Sequence, residues 1–75
     1  MEELTREQAN RLISEIENLY AGIDKLERFI QSTDTNNLTN EMKQYLELCN
    51  KQLGAMYAYE DMLRERLVIL LTKNI

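Results

Sequence analysis

The first half of the chain carries apolar residues at alternating spacings of three and four. In an α-helix this spacing places all of them on one face, as in the seam of a coiled coil. It predicts a first helix over residues 6–31, started by a capping box in which Thr5 precedes Gln8 by three positions. Ile13, Tyr20 and Phe29 widen the face, which indicates more than one neighbouring helix. The seam consists of Ala9, Leu12, Ile16, Leu19, Ile23, Leu26 and Ile30.

A polar stretch separates this pattern from a second one. Residues 32–39 are rich in Ser, Thr, Asn and Asp, whose short side chains compete with helical hydrogen bonds, so we predict a turn there. Thr39 or Asn40 is then expected to cap a second helix over residues 40–72. The seam of this helix has one polar interruption, Glu60, and runs through Met42, Leu46, Cys49, Leu53, Met56, Glu60, Leu63, Leu67 and Leu70.

Small residues within the predicted helices allow alternative interpretations. Each helix contains one glycine, Gly22 or Gly54, which either admits a neighbouring backbone or occupies a tolerated surface position. Cys49 lies at an apolar seam position, and no histidine is present to activate it. We therefore interpret Cys49 as a small core residue.

The predicted fold is all-α: one domain over residues 1–75, an antiparallel helical hairpin with a long second helix. A chain of 75 residues buries a small fraction of its surface and usually needs a disulfide, a metal or a partner. One cysteine and no histidine argue against the first two. The longer second helix also ends in an apolar run, residues 67–71, that soluble monomers rarely expose. We therefore predict assembly into a homo-oligomeric helical bundle.

Charge and hydropathy restrict the partners and the location. The formal net charge of -4 disfavours long nucleic acids, whose binding depends on several Lys and Arg contacts to phosphate. A small anionic ligand needs only two or three local cations. We see no signal peptide and no span of roughly 20 apolar residues, and the apolar C-terminal run lacks the basic rim typical of membrane-surface helices. The expected location is cytoplasmic, without a membrane partner.

The residue inventory favours binding over catalysis. The chain has no Ser/His/Asp set, no glycine-rich phosphate loop and no constellation of metal ligands. Adjacent carboxylates, as at Glu60 and Asp61, diverge by about 100° on a helix and rarely act on one substrate. We therefore predict no catalytic residue, no metal and no cofactor.

The second helix carries the candidate ligand-binding residues. Tyr59 precedes Arg66 by seven positions, and Tyr57 precedes Arg64 by seven, which places a ring and a guanidinium on the same face. Aromatic rings stack on nucleobases and guanidinium groups pair with phosphate, so this inventory suits a nucleotide. Tyr and Arg are also favoured at protein interfaces, and the tyrosines remain open to that interpretation. The full candidate set is Gln52, Tyr57, Tyr59, Glu60, Arg64 and Arg66, with Lys25 on the first helix as a possible phosphate contact.

Glu60 has two interpretations because a carboxylate at a seam position must be paired, hydrated or in use. Arg64, four residues later, is a potential partner within the helix. In the first interpretation Glu60 sets the register or the oligomer number, as polar seam residues do. In the second it accepts hydrogen bonds from a base or ribose in a cavity between copies.

Two segments resemble short helical-hairpin proteins of crAss-like and other tailed bacteriophages. The first reads IDKLERFIQS, residues 23–32, and the second reads LTNEMKQYLELCNKQLGAMYAYEDMLRERL, residues 38–67. In that family a Lys-Leu-Glu-x-Phe-Ile end of helix 1 and a polar turn precede a Gln-Leu-x-x-Met-x-x-Tyr-x-x-x-Leu-x-x-Arg helix. The matching residues here are Lys25, Leu26, Glu27, Phe29, Ile30, Gln52, Leu53, Met56, Tyr59, Leu63 and Arg66.

The architecture is also similar to that of phage anti-CBASS and anti-Thoeris sponges. Those homo-oligomers hold cyclic nucleotides or ADP-ribose-derived signals at subunit junctions without cleaving them. The resemblance implies a phage protein that sequesters a small nucleotide immune signal in the cytoplasm of the infected bacterial host. The alternative is a helical interaction module that masks a host or phage protein through its apolar C-terminal face.

Overall fold

The computed structural model describes residues 6–73 and consists of two helices, α1 (Arg6–Ser32) and α2 (Asn40–Lys73). The prediction of an all-helical fold with two helices is confirmed for these residues, which contain no strand. The predicted cap at Thr5 lies outside them. The helices run antiparallel. Phe29 near the end of α1 packs edge-on against Tyr45 near the start of α2, with ring centroids 6.0 Å apart, and Glu15, earlier on α1, accepts a hydrogen bond from Tyr59, later on α2. The hairpin is a rod with extents of 57 × 17 × 14 Å.

Side-chain hydrogen bonds cap the C-terminal end of α1. The hydroxyls of Ser32 and Thr33 both donate to the carbonyl oxygen of Phe29, at 3.1 and 2.8 Å. This carbonyl lies in the last turn of α1, where no further helical N–H is available to reach it. The hydroxyl groups therefore supply donors at the point where the helix stops.

Polar side chains also close the turn and start α2. The Asp34 carboxylate accepts the backbone N–H of Asn36 at 2.9 Å, which forms an Asx turn. The Thr39 hydroxyl accepts the N–H of Met42 at 3.2 Å, three residues later. Of the two predicted caps, Thr39 therefore occupies the capping position and Asn40 is the first helical residue.

The core is a narrow row of side chains between the helices. Leu63 is fully buried, and Cys49 is buried, as predicted, with 5% of its surface exposed. Many large apolar side chains remain exposed, including Val68, Ile69 and Leu71 in the C-terminal run. The hairpin alone therefore covers only one face of α2. The buried residues are Ala9, Leu12, Ile23, Cys49 and Leu63.

The two glycines occupy different environments. A Cβ added at Gly22 would lie 3.2 Å from the Met56 Cε atom of the opposite helix, whereas a Cβ at Gly54 would meet no atom within 4 Å. Gly22 thus accommodates a side chain from α2, and Gly54 is an open surface position.

Replacement of Gly54 by alanine should stabilise the hairpin by about 0.5–1 kcal/mol, because alanine loses less conformational freedom in a helix. Gly22→Ala is the matched control: the same helical gain is offset by displacement of Met56. Urea unfolding of both variants, followed by circular dichroism, measures the difference. Equal gains would show that Met56 moves aside without cost.

Candidate functional site

The polar interruption of the seam is an ion pair. Arg64 Nε lies 2.8 Å from Glu60 Oε1, and the two side chains are 57% and 12% exposed. A carboxylate this close to the core requires a partner, and the arginine one turn later supplies it. The expected pairing of Glu60 with Arg64 is therefore present, on the rim of the helix interface.

Tyr57 lies on the same flank of the hairpin as this ion pair. Its hydroxyl donates to a Glu27 carboxylate oxygen of α1. That hydrogen bond, with desolvation and the negative charges of Glu27 and Glu60, raises the pKa of the Tyr57 hydroxyl above its ordinary value of 10.0. Tyr57 thus fastens α2 to α1, while 46% of its surface remains exposed.

Tyr59 makes the corresponding contact on the opposite flank. Two residues along a helix correspond to about 200° of rotation, so Tyr57 and Tyr59 diverge across the seam. The Tyr59 hydroxyl donates to Glu15 of α1. This bond is the main cause of the raised pKa of the Tyr59 hydroxyl, and the positive charge of Arg66 acts in the opposite direction. The two tyrosines fasten the hairpin on both sides and cannot stack on one base within one chain.

Both tyrosine contacts should weaken at high pH. A raised pKa means that the folded state favours the protonated hydroxyl, so the contribution to stability is complete below about pH 10 and is lost as the pH rises through the folded-state pKa. We expect the double variant Tyr57→Phe, Tyr59→Phe to show less alkaline destabilisation than the parent chain. Thermal unfolding between pH 8 and pH 11 measures this. Parallel curves would contradict the assigned hydrogen bonds.

A depression lies at the far end of the Tyr59 flank. It has a volume of about 280 Å³ and is lined by Gln8, Leu12, Arg66, Ile69 and Leu70. The ion pairs among residues 6–73 are Arg28 with Asp24 and Arg64 with Glu60, so Arg66 takes part in neither. Arg66 is exposed, and its guanidinium can pair with a phosphate group. The apolar surface beside it can pack against an aromatic ring of a ligand.

The other candidates are distributed along the rod. Gln52 is exposed on the Tyr59 flank, but it lies 14 positions before Arg66, which is about 21 Å along the helix. Lys25 is exposed on α1 and lies 17 positions after Gln8, which is about 25 Å along the helix from the depression. A small ligand in one hairpin therefore contacts Arg66 without Lys25.

The structure thus divides the predicted set into two flanks. Tyr57, Glu60 and Arg64 form one cluster, Tyr59 and Arg66 lie on the other flank, and Lys25 stands apart. The apolar floor of the depression is formed by Leu12 and Leu70, which the sequence pattern identifies only as seam residues. The same pattern identifies Gln8 only as a capping residue. Heptad positions would have placed Gln8 on the Tyr59 flank of α1, but its partner on α2 depends on the register of the hairpin.

The fold and the site define a two-helix hairpin with candidate ligand-binding residues on α2. The model of the Sequestin family matches residues 6–69, so the chain belongs to that family. The name indicates a role in sequestering a partner. No curated protein matches the chain. No solved structure matches it either.

Neither helix within residues 6–73 has an apolar stretch long enough to cross a membrane. Over the same residues, no three or more His, Cys, Asp or Glu side chains are grouped as ligands of a metal ion.

Proposed function

We propose that this protein binds and sequesters a small nucleotide immune signal, a cyclic nucleotide or an ADP-ribose derivative, without cleaving it. The observation that carries the proposal is Arg66, an exposed residue outside the two ion pairs of residues 6–73, whose side chain lines a depression with the apolar Leu12, Ile69 and Leu70. Membership of a family named for sequestration supports a binding role. In this proposal Arg66 pairs with phosphate and an aromatic side chain covers the base.

The proposal includes a homo-oligomer. A depression of about 280 Å³ is at the lower limit of ligand pockets, which typically enclose roughly 300–1,000 Å³ and bury most of the ligand. A single hairpin therefore holds one side of a nucleotide and leaves the other in water. A second copy that covers the depression would enclose the ligand and lower its rate of release.

The biological setting is proposed from the resemblance to phage sponges. A phage-encoded copy in the cytoplasm of an infected bacterium would lower the free concentration of the signal and so inhibit the defence that depends on it. Stoichiometric binding is sufficient for this effect, since each enclosed molecule is withdrawn from its receptor.

The test is binding of named nucleotides by isothermal titration calorimetry. Cyclic AMP, cyclic di-AMP, cyclic di-GMP, 3′,3′-cyclic GMP-AMP and ADP-ribose form the panel. We expect tight binding of at least one, with the compound recovered intact after denaturation of the protein. Recovery of a cleaved product would contradict sequestration.

The alternative function is supported by a different observation. Val68, Ile69 and Leu71 are each more than half exposed, which suits docking of a protein on the C-terminal part of α2. Absence of binding across the panel, together with stoichiometric capture of one host or phage protein, would favour this interaction module.

A further inference from the structure

A second apolar stripe runs along α2 outside the hairpin seam. Its members again alternate at spacings of three and four, and every one of them is exposed. The intramolecular seam occupies the adjacent face, and the stripe meets α1 along one edge. Tyr45 packs on Phe29 and Tyr59 donates to Glu15, while the outer side of the stripe is exposed. Gln52 and Arg66 are its polar members, and the apolar ones are Tyr45, Leu48, Ala55, Tyr59, Met62 and Ile69.

The stripe is self-complementary when two copies of α2 pack antiparallel. It is centred at position 57, so a two-fold axis there places Tyr45 opposite Ile69 and the small Ala55 opposite the large Tyr59 of a second copy. Such layers of one large and one small residue fill a helix interface without voids. In a parallel pairing, Arg66 would face its own copy, and two like charges would meet at the interface.

Charges beside the stripe favour the same arrangement. Lys51 and Glu65 flank it at equivalent heptad positions, and both are exposed. In an antiparallel pair these positions face each other across the seam, so Lys51 of one copy lies beside Glu65 of the other, twice by symmetry. Neither residue belongs to the two ion pairs within residues 6–73.

The area of the stripe is adequate for a stable contact. Residues 45–69 span about 36 Å of helix. The large side chains are between 43% and 63% exposed. With roughly 200 Å² per side chain, a pair of copies would bury on the order of 1,000 Å², the size at which specific interfaces begin.

We infer that two copies pack through this stripe, antiparallel, and that each copy completes the other's ligand site. The pairing brings Tyr45 and Leu48 of one copy against Arg66 and Ile69 of the other, at the rim of the depression. Phe29, whose ring centroid lies 6.0 Å from that of Tyr45, adds a second aromatic ring beside the site. The site then combines a guanidinium from one copy with aromatic rings from the second. The ligand assignment rests on the proposed function, whereas the interface does not.

Charge reversal tests the interface without any ligand. Lys51→Glu alone and Glu65→Lys alone each convert both intermolecular pairs into repulsions, so we expect each variant to self-associate about tenfold or more weakly. An equimolar mixture restores two attractive pairs and should form a 1:1 heterodimer. Analytical ultracentrifugation measures the dissociation constants, and circular dichroism verifies that both variants remain helical.

The matched control uses two exposed positions outside the stripe. Lys43→Glu and Asp61→Lys change charge equally, and we expect them to leave self-association unchanged, alone or mixed. Weakening by the stripe variants with no recovery in their mixture would overturn the antiparallel pairing. If none of the four substitutions changes the dissociation constant of self-association, the proposed interface is overturned.

Complementation tests the shared site with the nucleotide panel named above. When Arg66→Gln is placed on the Lys51→Glu copy and Tyr45→Ala on the Glu65→Lys copy, the heterodimer retains one intact site. When both changes are placed on one copy, neither site is intact. We expect about half the parent stoichiometry in the first case and at least tenfold weaker binding in the second.

The outcomes separate the two proposals. If the heterodimer forms but neither it nor the parent chain binds any panel compound, the nucleotide proposal is rejected and the interface proposal stands. Parent binding with equal stoichiometry in both heterodimers would reject the shared site and keep the sequestering function.

Discussion

Leu63→Ala should lower the free energy of unfolding by about 2–5 kcal/mol, the range observed when a buried leucine is truncated and leaves a cavity. Leu63 is the one core residue with no exposed surface among the described residues, and it lies in a row only one side chain wide. Neighbouring side chains have few directions from which to fill the space. In a small domain a loss of this size is a large fraction of the total stability.

Urea unfolding at fixed protein concentration measures this effect, because self-association makes apparent stability depend on concentration. Val68→Ala is the matched control: Val68 is 58% exposed and lies outside both the seam and the second stripe of α2. We expect it to change stability by less than about 0.5 kcal/mol. Equal losses in the two variants would contradict the assigned core.

Arg66→Gln should weaken nucleotide binding by about 10- to 100-fold, while the hairpin stays folded. A charged hydrogen bond to phosphate contributes about 1.5–3 kcal/mol, and glutamine preserves the polar character of the position without the charge. Arg66→Lys retains the charge but lacks the planar fork, so an intermediate loss is expected.

Arg28→Gln provides the control for loss of a positive charge. Arg28 is paired with Asp24 at 3.1 Å and its side chain is 79% exposed, away from the depression. Calorimetric titration with the best panel compound should show parent affinity for this variant. Similar losses for Arg28→Gln and Arg66→Gln would mean that net charge, not the site at Arg66, determines affinity.

The architecture could be predicted because its main determinant is local in the sequence. The alternation of three and four residues that includes Leu12 and Ile23 fixes both the helix and its buried face. The same holds for Cys49 and Leu63 on α2. Short polar residues around Thr39 compete with the helical backbone, so the turn and the cap are readable as well.

The candidate site was harder to predict because it depends on the register between the helices. The spacing alone places Tyr57 and Tyr59 on opposite flanks of α2. It does not show that their hydroxyl groups donate hydrogen bonds to Glu27 and Glu15 of α1. Those contacts follow from the length and geometry of the turn. The depression around Arg66 likewise exists only because the start of α1 lies beside the end of α2.

The second, exposed stripe of α2 also could not be assigned from the sequence. Two apolar stripes with the same spacing lie on this helix, and either could have packed against α1. The structure resolves the choice: the seam through Leu63 is buried and the stripe through Leu48 and Met62 is open. The exposure of the second stripe in the hairpin is what favours packing against a second copy of the chain.

Sequestration of a nucleotide signal is best tested by native mass spectrometry. The purified protein is exposed to filtered extract from bacteria whose nucleotide-signalling defence has been triggered, with untriggered extract as the control. We expect a defined oligomer that carries an added mass of several hundred daltons per site, released on denaturation as an intact nucleotide. An oligomer that emerges without a nucleotide, although the signal is present in the extract, would contradict sequestration.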